Sequence, residues 1–409
     1  MILDQESPYL VSFEITKDCN YRCAFCYQSE RIRSKEKDVP LNEVVRGVTP
    51  PRQQPEMTVE QIRDHLIPQI AEMGVKSFCF IGAEPLMRFD DIIALAPSFK
   101  QCKELKDVQI TTNGYLLTEE KIDKIRDAYG RWMITFAIPL DSPDQSIVSV
   151  LRPPKKDVVE RSIAAIKLVV KKGFYMSSGM VVNQLNFHQI DAVGKIVMEA
   201  GKNSIFREMY PMFKVGNANA NSSLCLDANQ IKFVDSYKIK NYGNDMLMWD
   251  SMPFPVGDAT WNKVRKHAFE TDISRGCSAG NNYFNIDHAG NIYPCNFLDI
   301  YLGNVMDAPH AFKAAWETHP LVQKLRNREV GGKCGTCMYK INCGGCRSRA
   351  FVETGDVLGG VESCDGGPSG HPMEAVLEKN VLHAYRKYRP ALAMYRAYTS
   401  LKSLVRRTK

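Results

Sequence analysis

Apolar and polar residues follow two periods in the first half of the chain. Short apolar runs of strand length alternate with longer stretches in which apolar residues recur every three or four positions, as on one face of a helix. The runs that predict strands are 10–16, 76–81, 107–112, 132–140, 175–183 and 204–211. The predicted helices between them are 58–73, 90–104, 118–129, 156–173 and 187–201. This alternation predicts βαβ units and a parallel sheet with six strands.

For two of these segments, the sequence also predicts where the element ends or which residues share a face. Thr58, with Gln61 three residues later, has the pattern of a capping box at a helix start, and Gly74 marks the helix end. In the first strand, the alternation places the even-numbered residues 12–16 on one face of the sheet.

The segments outside this alternation are less regular. Residues 28–57 are rich in charge and contain four prolines, which predicts a long irregular connection. It is either a solvated insertion, which is favoured, or a lid or partner-contact loop. Turn-forming residues in 211–227 mark the end of the strand–helix repeats. Further helices are predicted near 228–242 and 259–270.

Composition is that of a globular protein. Of the 409 residues, 44% are hydrophobic and 24% are charged, and the length allows two or three domains. There is no apolar run of eighteen residues, and the N-terminus lacks the basic and apolar regions of a signal peptide. We therefore expect a cytoplasmic protein.

The net charge of +7 is concentrated in the last residues. Residues 374–409 hold nine Lys or Arg and two Glu, so the rest of the chain is close to neutral. Residues 367–409 predict a basic amphipathic helical tail, which Pro390 kinks or divides. Such a tail either packs on its own domain, docks an acidic partner or lies peripherally on an anionic membrane surface, with nucleic acid the least favoured alternative.

Thirteen cysteines in a chain without a secretory signal favour metal ligation over disulfides. Cys19, Cys23 and Cys26 have the spacing C-x3-C-x2-C on one short segment after the first strand. Soft thiolates select iron–sulfur clusters or zinc. Three ligands rather than four leave one metal position open, as sites that do chemistry require.

This cysteine segment, with aromatic Phe25 before its last cysteine, resembles the signature of the radical S-adenosylmethionine (radical SAM) enzymes. Gly82-Ala83-Glu84-Pro85 and Thr111-Thr112-Asn113-Gly114, each after an apolar run, strengthen the resemblance. It implies a partial (β/α)6 TIM-like barrel. It also implies a 4Fe-4S cluster on the three cysteines, whose open iron binds SAM, and reductive cleavage of SAM to methionine and a 5'-deoxyadenosyl radical that abstracts hydrogen from a substrate.

The resemblance also implies contacts to SAM. Position by position, it indicates Phe25, Tyr27, Gly82, Ala83, Glu84, Pro85, Thr112, Asn113, Asp141, Ser142 and Arg152. Arg152 is expected to pair with the SAM carboxylate, since a guanidinium matches a carboxylate with two hydrogen bonds. Asp141-Ser142 is also a good turn sequence, and Arg152 also fits a surface ion pair. Ala83 departs from the glycine usual in the family, and Pro139 replaces a frequent serine. The catalytic side chain is unknown.

A second cysteine group begins at Cys277. Residues 282–287 and 291–293 predict a β-hairpin that brings Cys295 next to Cys277. The cysteine pattern resembles the SPASM extension of radical SAM enzymes, which implies two auxiliary 4Fe-4S clusters in a small irregular cysteine-rich α+β domain. One takes Cys334, Cys337, Cys343 and Cys364, and the other takes Cys277, Cys295 and Cys346 and is one ligand short. Structural zinc is the alternative. Cys79, Cys102 and Cys225 are expected to be buried structural thiols.

One local match excludes a reaction. Residues 290–297 resemble the anaerobic sulfatase-maturating enzymes, in which an Asp that acts as base follows the cysteine. Here Asn296 follows Cys295 and cannot accept a proton at neutral pH. Formylglycine formation is therefore not expected.

The predicted domains are a radical SAM barrel (1–216), a bridging helical region (217–276), a SPASM domain (277–366) and the tail (367–409). The first functional hypothesis is oxidation or cross-linking of a ribosomally made peptide or protein, with a donor such as flavodoxin or ferredoxin supplying the electron. The second is modification of a lipid, sugar or tetrapyrrole, at a membrane surface in the lipid case. A third is a non-enzymatic scaffold or electron-transfer module.

Overall fold

The structure is a computed structural model that describes residues 7–28, 55–227, 229–234, 277–337, 340 and 343–364, apart from 132, 154 and 232. Nearly all of the predicted connection 28–57, most of the helix near 228–242, the helix near 259–270 and the tail 367–409 lie outside the described residues.

Six parallel strands form the first part of the fold. They are β1 Leu10–Glu14, β2 Ser77–Ile81, β3 Asp107–Thr111, β4 Ile134–Ala137, β5 Tyr175–Val182 and β6 Ser204–Pro211. Each pairs in parallel with the next, which confirms the predicted α/β class and strand count. Since crossover helices cover one face of such a sheet, the arrangement is consistent with a partial TIM barrel.

The connecting helices follow the predicted order. Helix α1 consists of Val59–Gln61, a π-helical stretch Ile62–Leu66 and Ile67–Glu72, and the others are α2 Phe89–Lys100, α3 Glu119–Tyr129, α4 Gln145–Leu151, α5 Val158–Lys171 and α6 Ile190–Glu199. The capping box of Thr58 and Gln61 is confirmed, with both reciprocal hydrogen bonds present. Helix α4 was not predicted.

The second part of the chain extends the same sheet. The predicted hairpin is confirmed as β7 Tyr283–Ile286 and β8 Asn291–Tyr293, and β9 Gly303–Asn304 follows. Strand β7 pairs in parallel with β1, so one nine-stranded sheet runs in the order β6-β5-β4-β3-β2-β1-β7-β8-β9. The hairpin therefore lies against the strand that leads into the first cysteine segment.

Short helices complete the described residues. They are α7 Asn217–Ala220, α8 Ala311–Thr318, α9 Pro320–Arg326, α10 Gly332–Thr336 and α11 Arg347–Thr354. None of the helices in these ranges has the length and apolar character needed to cross a membrane.

The two faces of the sheet differ in chemistry. Val11 and Phe13 of β1 belong to the main hydrophobic core, together with Phe78 and Phe80 of β2. The alternate residues Ser12, Glu14 and Thr16 are buried on the opposite, inner face, as predicted. The core thus lies between sheet and helices, and the inner face carries polar residues of β1 beside a small apolar cluster that includes Leu10 and Ile81.

Candidate active site

The first cysteine segment is a tight loop held from two sides. The Arg22 N–H donates to Pro153 O at 2.7 Å, and the Ala24 N–H donates to Leu151 O at 2.8 Å. Cys26 N–H donates to Cys23 O at 3.2 Å, which closes the loop on itself. Cys19, Cys23 and Cys26 are each partly buried, and Cys26 influences both Cys19 and Cys23 electrostatically. The loop therefore places the three predicted ligands on one turn.

A short segment after β6 supports the other side of this loop. Asn217 Nδ2 donates to Cys23 O at 2.9 Å, and Asn221 Nδ2 donates to Ala24 O at 3.0 Å. Gly216 has φ 59°, and a Cβ there would lie 2.2 Å from Cys26 O, so only glycine allows this approach. The turn-forming residues of 211–227 predict only an irregular segment, so this support is visible in the structure alone.

Arg152 lies beside the cysteines rather than on the surface. Its Nε donates to Asp141 Oδ2, its Nη1 lies 3.9 Å from Cys23 Sγ, and its guanidinium stacks 5.1 Å from the Phe25 ring centroid. Asp141 is buried, and its Oδ1 accepts from the Val181 N–H at 2.9 Å. The surface ion-pair alternative is wrong, because Arg152 is only 8% exposed. Its pairing with the SAM carboxylate stays a prediction.

Ser142 shares the loop of Asp141. The Ser142 hydroxyl donates to Gln189 Oε1 at 2.5 Å and accepts from the Asp144 N–H at 2.8 Å. These bonds fix the turn in front of α4, as the alternative interpretation of this sequence expected. Direct contact of Asp141 and Ser142 with SAM stays a prediction.

Glu84 joins the ends of two strands. Its Oε1 accepts from the Thr112 hydroxyl at 2.6 Å and from the Leu86 N–H at 3.1 Å, and its Oε2 accepts from the Asn113 N–H at 2.8 Å. Burial raises the pKa of this carboxyl, and the three hydrogen bonds oppose that rise. Glu84 thus holds Thr112 and Asn113, two predicted SAM contacts, in place after β3.

The preceding residues lie against the extension of β1. The Ala83 N–H donates to Thr16 O at 3.1 Å, and the Glu84 N–H donates to Asp18 O at 2.9 Å. Gly82 has φ 131°, and a Cβ there would lie 2.8 Å from Thr16 O. Pro85 begins a short 3-10 helix, Pro85–Arg88. Gly82, Ala83 and Glu84 therefore lie against residues 16–18, which lead into the cysteine segment, and the contacts of 82–85 to SAM stay predictions.

Three thiolates on one short loop are the type of donor that an iron–sulfur cluster takes. The Tyr21 N–H points at Cys19 Sγ at 3.3 Å, and Asn113 Nδ2 donates to Asn20 Oδ1 at 2.7 Å, whereas the buried Asn20 Nδ2 has no partner among the described residues. Burial raises the pKa of the Cys19 thiol to about 11 and of the Cys23 thiol to about 12. A bound metal reverses this effect, because a thiol that binds a metal loses its proton.

Comparison with known families decides between the alternatives for this loop. The radical SAM superfamily matches residues 13–195, and the iron-sulfur cluster-binding domain SPASM matches residues 277–338. The chain belongs to the radical SAM superfamily and carries a SPASM domain. It is therefore an enzyme, and the non-enzymatic alternative is not retained. The family implies SAM and iron–sulfur clusters as cofactors, whereas the number of three clusters stays a prediction.

Characterised relatives differ in what they make. The chain is 25% identical over 374 residues to the AdoMet-dependent heme synthase of Methanosarcina barkeri, covering 88% of this chain and 96% of the relative. It is 24% identical to the pre-heme d1 synthase of Dinoroseobacter shibae, covering 85% and 83%. It is 23% identical to the mycofactocin maturase MftC of Mycolicibacterium smegmatis, covering 85% and 80%.

Two solved structures share the fold. Native anSMEcpe with bound AdoMet and Cp18Cys peptide has a TM-score of 0.62 at 16% identity, covering 94% of this chain and 99% of that chain. SuiB of Streptococcus suis bound to precursor peptide SuiA has a TM-score of 0.58 at 18% identity, covering 88% and 76%. At these identities the likeness concerns the fold alone.

Three other SPASM cysteines lie near Cys343. Burial raises the pKa of the Cys343 thiol to about 11, and Cys364, Cys334 and Cys277 add to this rise through their charges. The Cys277 N–H donates to Cys343 O at 2.9 Å. Cys277 is thus a neighbour of Cys343, although the resemblance assigns these two cysteines to different clusters. The division of the cysteines between two clusters stays a prediction.

Other SPASM contacts involve helix ends. Cys334 lies in α10, with Arg347 Nη2 3.5 Å and the Val361 N–H 3.4 Å from its sulfur. Cys337 follows α10, Cys346 occupies the position before α11, and the Cys364 N–H donates to Val361 O at 3.1 Å. Within the described ranges, no three His, Cys, Asp or Glu side chains are grouped so as to hold one metal ion.

Near Cys295, the structure supports the expected approach to Cys277 through the backbone. The Gly280 N–H, three residues after Cys277, donates to Pro294 O at 2.9 Å. Cys295 Sγ donates to Asn296 Oδ1 at 3.4 Å. Outside the clusters, Cys79 and Cys102 are buried as expected, whereas Cys225 is only partly buried, because it lies in the loop after β6.

An aromatic cluster joins the two cysteine regions. Phe297, two residues after Cys295, packs against Tyr27 with ring centroids 5.0 Å apart, against Phe213 at 5.5 Å and against Tyr210 at 6.5 Å. Tyr27 follows Cys26, and Tyr210 lies at the end of β6. All four rings are partly exposed. Sequence reasoning missed this cluster, because its members are far apart in the chain.

Proposed function

We propose that this radical SAM enzyme abstracts hydrogen from a tetrapyrrole substrate. The observation that carries the proposal is the aromatic cluster of Tyr27, Tyr210, Phe213 and Phe297, four partly exposed rings between the first cysteine loop and Cys295. Flat conjugated rings bind well to aromatic side chains, by burial of apolar area and by edge or offset contacts. A heme synthase and a pre-heme d1 synthase among the relatives support the same substrate class.

The residues of this chain would position the cofactors. Cys19, Cys23 and Cys26 would hold the cluster, and Gly82 to Pro85, Thr112, Asn113 and Arg152 would hold SAM. When bound, the cluster delivers one electron to SAM, which leaves methionine and the hydrogen-abstracting 5'-deoxyadenosyl group. The electron would come from a one-electron donor such as flavodoxin or ferredoxin.

Asp141 would keep Arg152 charged and oriented. A guanidinium held at Nε by a buried carboxylate still has N–H groups on its terminal nitrogens that can donate to a second acceptor. Glu84 would orient two other proposed SAM contacts, since it fixes the backbone of Asn113 and the hydroxyl of Thr112.

The test is SAM cleavage with defined porphyrins. The reconstituted full-length enzyme, SAM and dithionite would be incubated without oxygen with protoporphyrin IX, its dimethyl ester and their iron complexes. We expect at least one of them to raise the rate of 5'-deoxyadenosine formation several-fold over the rate without substrate. If no porphyrin changes that rate or binds to the enzyme, the proposal is wrong.

A variant pair locates the binding surface. Phe297→Leu should weaken porphyrin binding, because it removes the ring at the centre of the cluster. Phe351→Leu is the matched control, since Phe351 is also partly buried but packs on the core from α11. Equal effects of the two substitutions on the porphyrin Kd would argue against the cluster as the binding surface.

The second candidate is modification of a ribosomally made peptide. It is favoured by the relative named mycofactocin maturase MftC, which aligns over 85% of this chain. A small peptide gene beside this one would supply the substrate, and its peptide rather than a porphyrin would then stimulate 5'-deoxyadenosine formation. Mass spectrometry of that peptide, showing a loss of hydrogen or a new cross-link, would establish this alternative.

A further inference from the structure

A row of polar side chains crosses the inner face of the sheet. Strand register aligns Asn285 of β7 with Ser12 of β1, Cys79 of β2, Gln109 of β3 and Thr135 of β4. Their neighbours in sequence point to the other face, where Phe78, Val108, Ile110, Ile134 and Phe136 belong to the core. Since the interiors of such barrels are commonly filled with branched apolar residues, a polar row needs another explanation.

Most of the row is internally hydrogen-bonded. Ser12 Oγ donates to Asn285 Oδ1 at 2.7 Å and bonds Tyr283 Oη at 2.6 Å. Cys79 Sγ donates to Gln109 Oε1 at 3.1 Å. Burial raises the pKa of Cys79, so the thiol keeps its proton and its role as donor. This contact fixes the carbonyl end of the Gln109 amide and leaves the NH2 end directed away from Cys79.

Two polar atoms of the row have no partner among the described residues. They are Gln109 Nε2 and Thr135 Oγ1, in side chains of residues that are each only 7% exposed. The two residues are register partners on adjacent strands, so they face the same part of the barrel interior. Buried polar groups are nearly always hydrogen-bonded, and an unpaired one lowers stability. Two neighbouring exceptions indicate a missing ligand.

We propose that Gln109 and Thr135 bind an uncharged carbonyl oxygen of the substrate, an inference that rests on the proposed function. Both side chains can donate a hydrogen bond, and neither carries a charge. The carboxyl groups of Glu14 and Glu208 share the inner face, since Asn285 Nδ2 donates to Glu14 Oε1 at 2.8 Å and Ser177 Oγ donates to Glu208 Oε1 at 3.2 Å. An uncharged ligand group avoids repulsion from these acidic side chains.

The position of the pair suits a substrate contact. Gln109 precedes Thr111 by two residues, and Thr112 and Asn113 follow directly. Two residues of a strand span about 6.6 Å, so the pair lies one layer of side chains below the strand ends that carry the proposed SAM contacts. A substrate entering from those ends would reach Gln109 and Thr135 with its innermost group.

If Gln109 and Thr135 serve to bind substrate, replacing them should not lower the Tm. If they have a structural role, replacing them should lower it. Gln109→Met and Thr135→Val keep the side-chain volume and remove the unpaired atoms. Gln109→Met also removes the acceptor of the Cys79 thiol, which keeps its contact with the Thr111 hydroxyl at 3.3 Å. Each variant should therefore have a Tm equal to or above that of the wild type. Gln69→Met is the matched control. Gln69 is a buried glutamine whose Nε2 donates to His65 O and Val305 O and whose Oε1 accepts from the Phe312 N–H, so its replacement should lower the Tm.

Binding to the reconstituted full-length enzyme is measured by absorbance titration. The two ligands compared are protoporphyrin IX dimethyl ester and the free acid. We expect the wild type to bind the ester at least as tightly as the acid. The variants Gln109→Met and Thr135→Val should each raise the Kd for the ester about tenfold, the range for loss of a buried hydrogen bond. Gln69→Met should leave that Kd unchanged.

Three results would overturn the inference: a fall in Tm of the two variants as large as that of the control, an unchanged Kd for the ester, or binding of the free acid alone. Failure of the wild type to bind either porphyrin contradicts the tetrapyrrole proposal instead. If neither porphyrin binds, the Tm of the two variants tests the site. A lower Tm than that of the wild type refutes the site, and an equal or higher Tm supports it.

Discussion

The side-chain amide of Asn285 donates a 2.8 Å hydrogen bond to Glu14 Oε1, although the two residues lie 271 positions apart in the chain. Both are buried, Asn285 at 0% and Glu14 at 3% exposure. The bond lies on the inner face of the sheet, where β7 of the SPASM hairpin pairs in parallel with β1 of the barrel. The two parts of the protein therefore share a polar junction as well as a sheet.

Asn285→Asp should weaken this junction. The substitution replaces the donor to Glu14 with a second carboxylate, and two carboxylates in one buried site cannot both ionise without cost. We expect a loss of about 2 kcal/mol in the free energy of unfolding at pH 7.5. One carboxyl of the pair gains a raised pKa, so the loss should shrink as the pH falls toward 5, because protonation of that carboxyl relieves the repulsion.

Urea unfolding at both pH values measures this effect. Asn327→Asp is the matched control, since Asn327 Nδ2 lies 3.2 Å from Glu329 Oε1 and both residues are exposed. It should change stability little. Equal losses for the two variants, or no pH dependence for Asn285→Asp, would contradict a buried junction.

Thr112→Val tests the carboxylate of Glu84. It removes the 2.6 Å hydrogen bond and leaves a buried carboxylate with two backbone donors. The pKa of Glu84, already raised by burial, should rise further. An acid with a raised pKa in the folded state stabilises the fold at low pH, so the variant should lose about 1–3 kcal/mol at pH 8 and less at pH 5.

The comparison variant is Thr112→Val combined with Glu84→Gln. A neutral amide cannot titrate, so unfolding of the double variant should lose the pH dependence that the single variant gains. A pH profile that is identical in both would show that another group is responsible.

Arg152→Lys should reduce SAM affinity while the protein stays folded. Lysine keeps the positive charge but loses the planar fork that contacts Asp141 and stacks on Phe25. We expect the Kd for SAM, measured by anaerobic equilibrium dialysis, to rise about tenfold. Arg161→Lys, on an exposed arginine that pairs with Asp157 at 3.0 Å, should leave it unchanged. Unchanged SAM binding with a normal Tm would remove Arg152 from the proposed site.

Iron content tests the three-cluster proposal. After anaerobic reconstitution, three 4Fe-4S clusters predict about twelve irons per chain, falling to about eight in the Cys19/Cys23/Cys26→Ala variant. Cys102→Ala is the control, because Cys102 is buried and its thiol bonds Ser98 O at 3.6 Å. About four irons falling to none, with zinc retained, would assign structural zinc to the SPASM segment.

Asp107→Asn should stabilise the enzyme at neutral pH. Burial raises the pKa of Asp107 to about 7, and the Ser77 hydroxyl, 3.1 Å from Oδ2, opposes the rise. The folded state thus holds this proton more tightly than the unfolded chain, and stability falls as the pH rises from about 4 to about 7. We expect the variant to have a Tm about 2–4 °C higher at pH 7.5, as for about 1 kcal/mol, and a similar Tm to the wild type at pH 4. A lower Tm at pH 7.5 would contradict this assignment.

Local patterns predicted much of the fold. The six strands, the main helices and the hairpin each show their period within one short window, and the Thr58 capping box is a four-residue signal. Helix α4 was missed because it has seven residues, although Asp144 caps it through the Ser146 N–H at 2.8 Å. That aspartate was a usable signal, but the sequence also fitted a simple turn.

Sequence patterns predicted some parts of the candidate site and missed others. Cysteine spacing and the residues after β2 and β3 were found, because both are short contiguous motifs. Asn217 and Asn221, which hold the cysteine loop, were missed, since their partners Cys23 and Ala24 lie 194 and 197 positions away. The aromatic partners of Phe297 were missed for the same reason.

The sequence by itself determined the order of strands and helices, the polar face of β1 and the clustering of cysteines, because these depend on neighbours within a few residues. Only the tertiary structure decided that β7 pairs with β1, that Glu84 accepts three hydrogen bonds and that Gln109 and Thr135 keep unpaired polar atoms. The physical reason is that hydrogen-bond partners far apart in the chain are set by strand register, and register follows from the packing of the whole sheet.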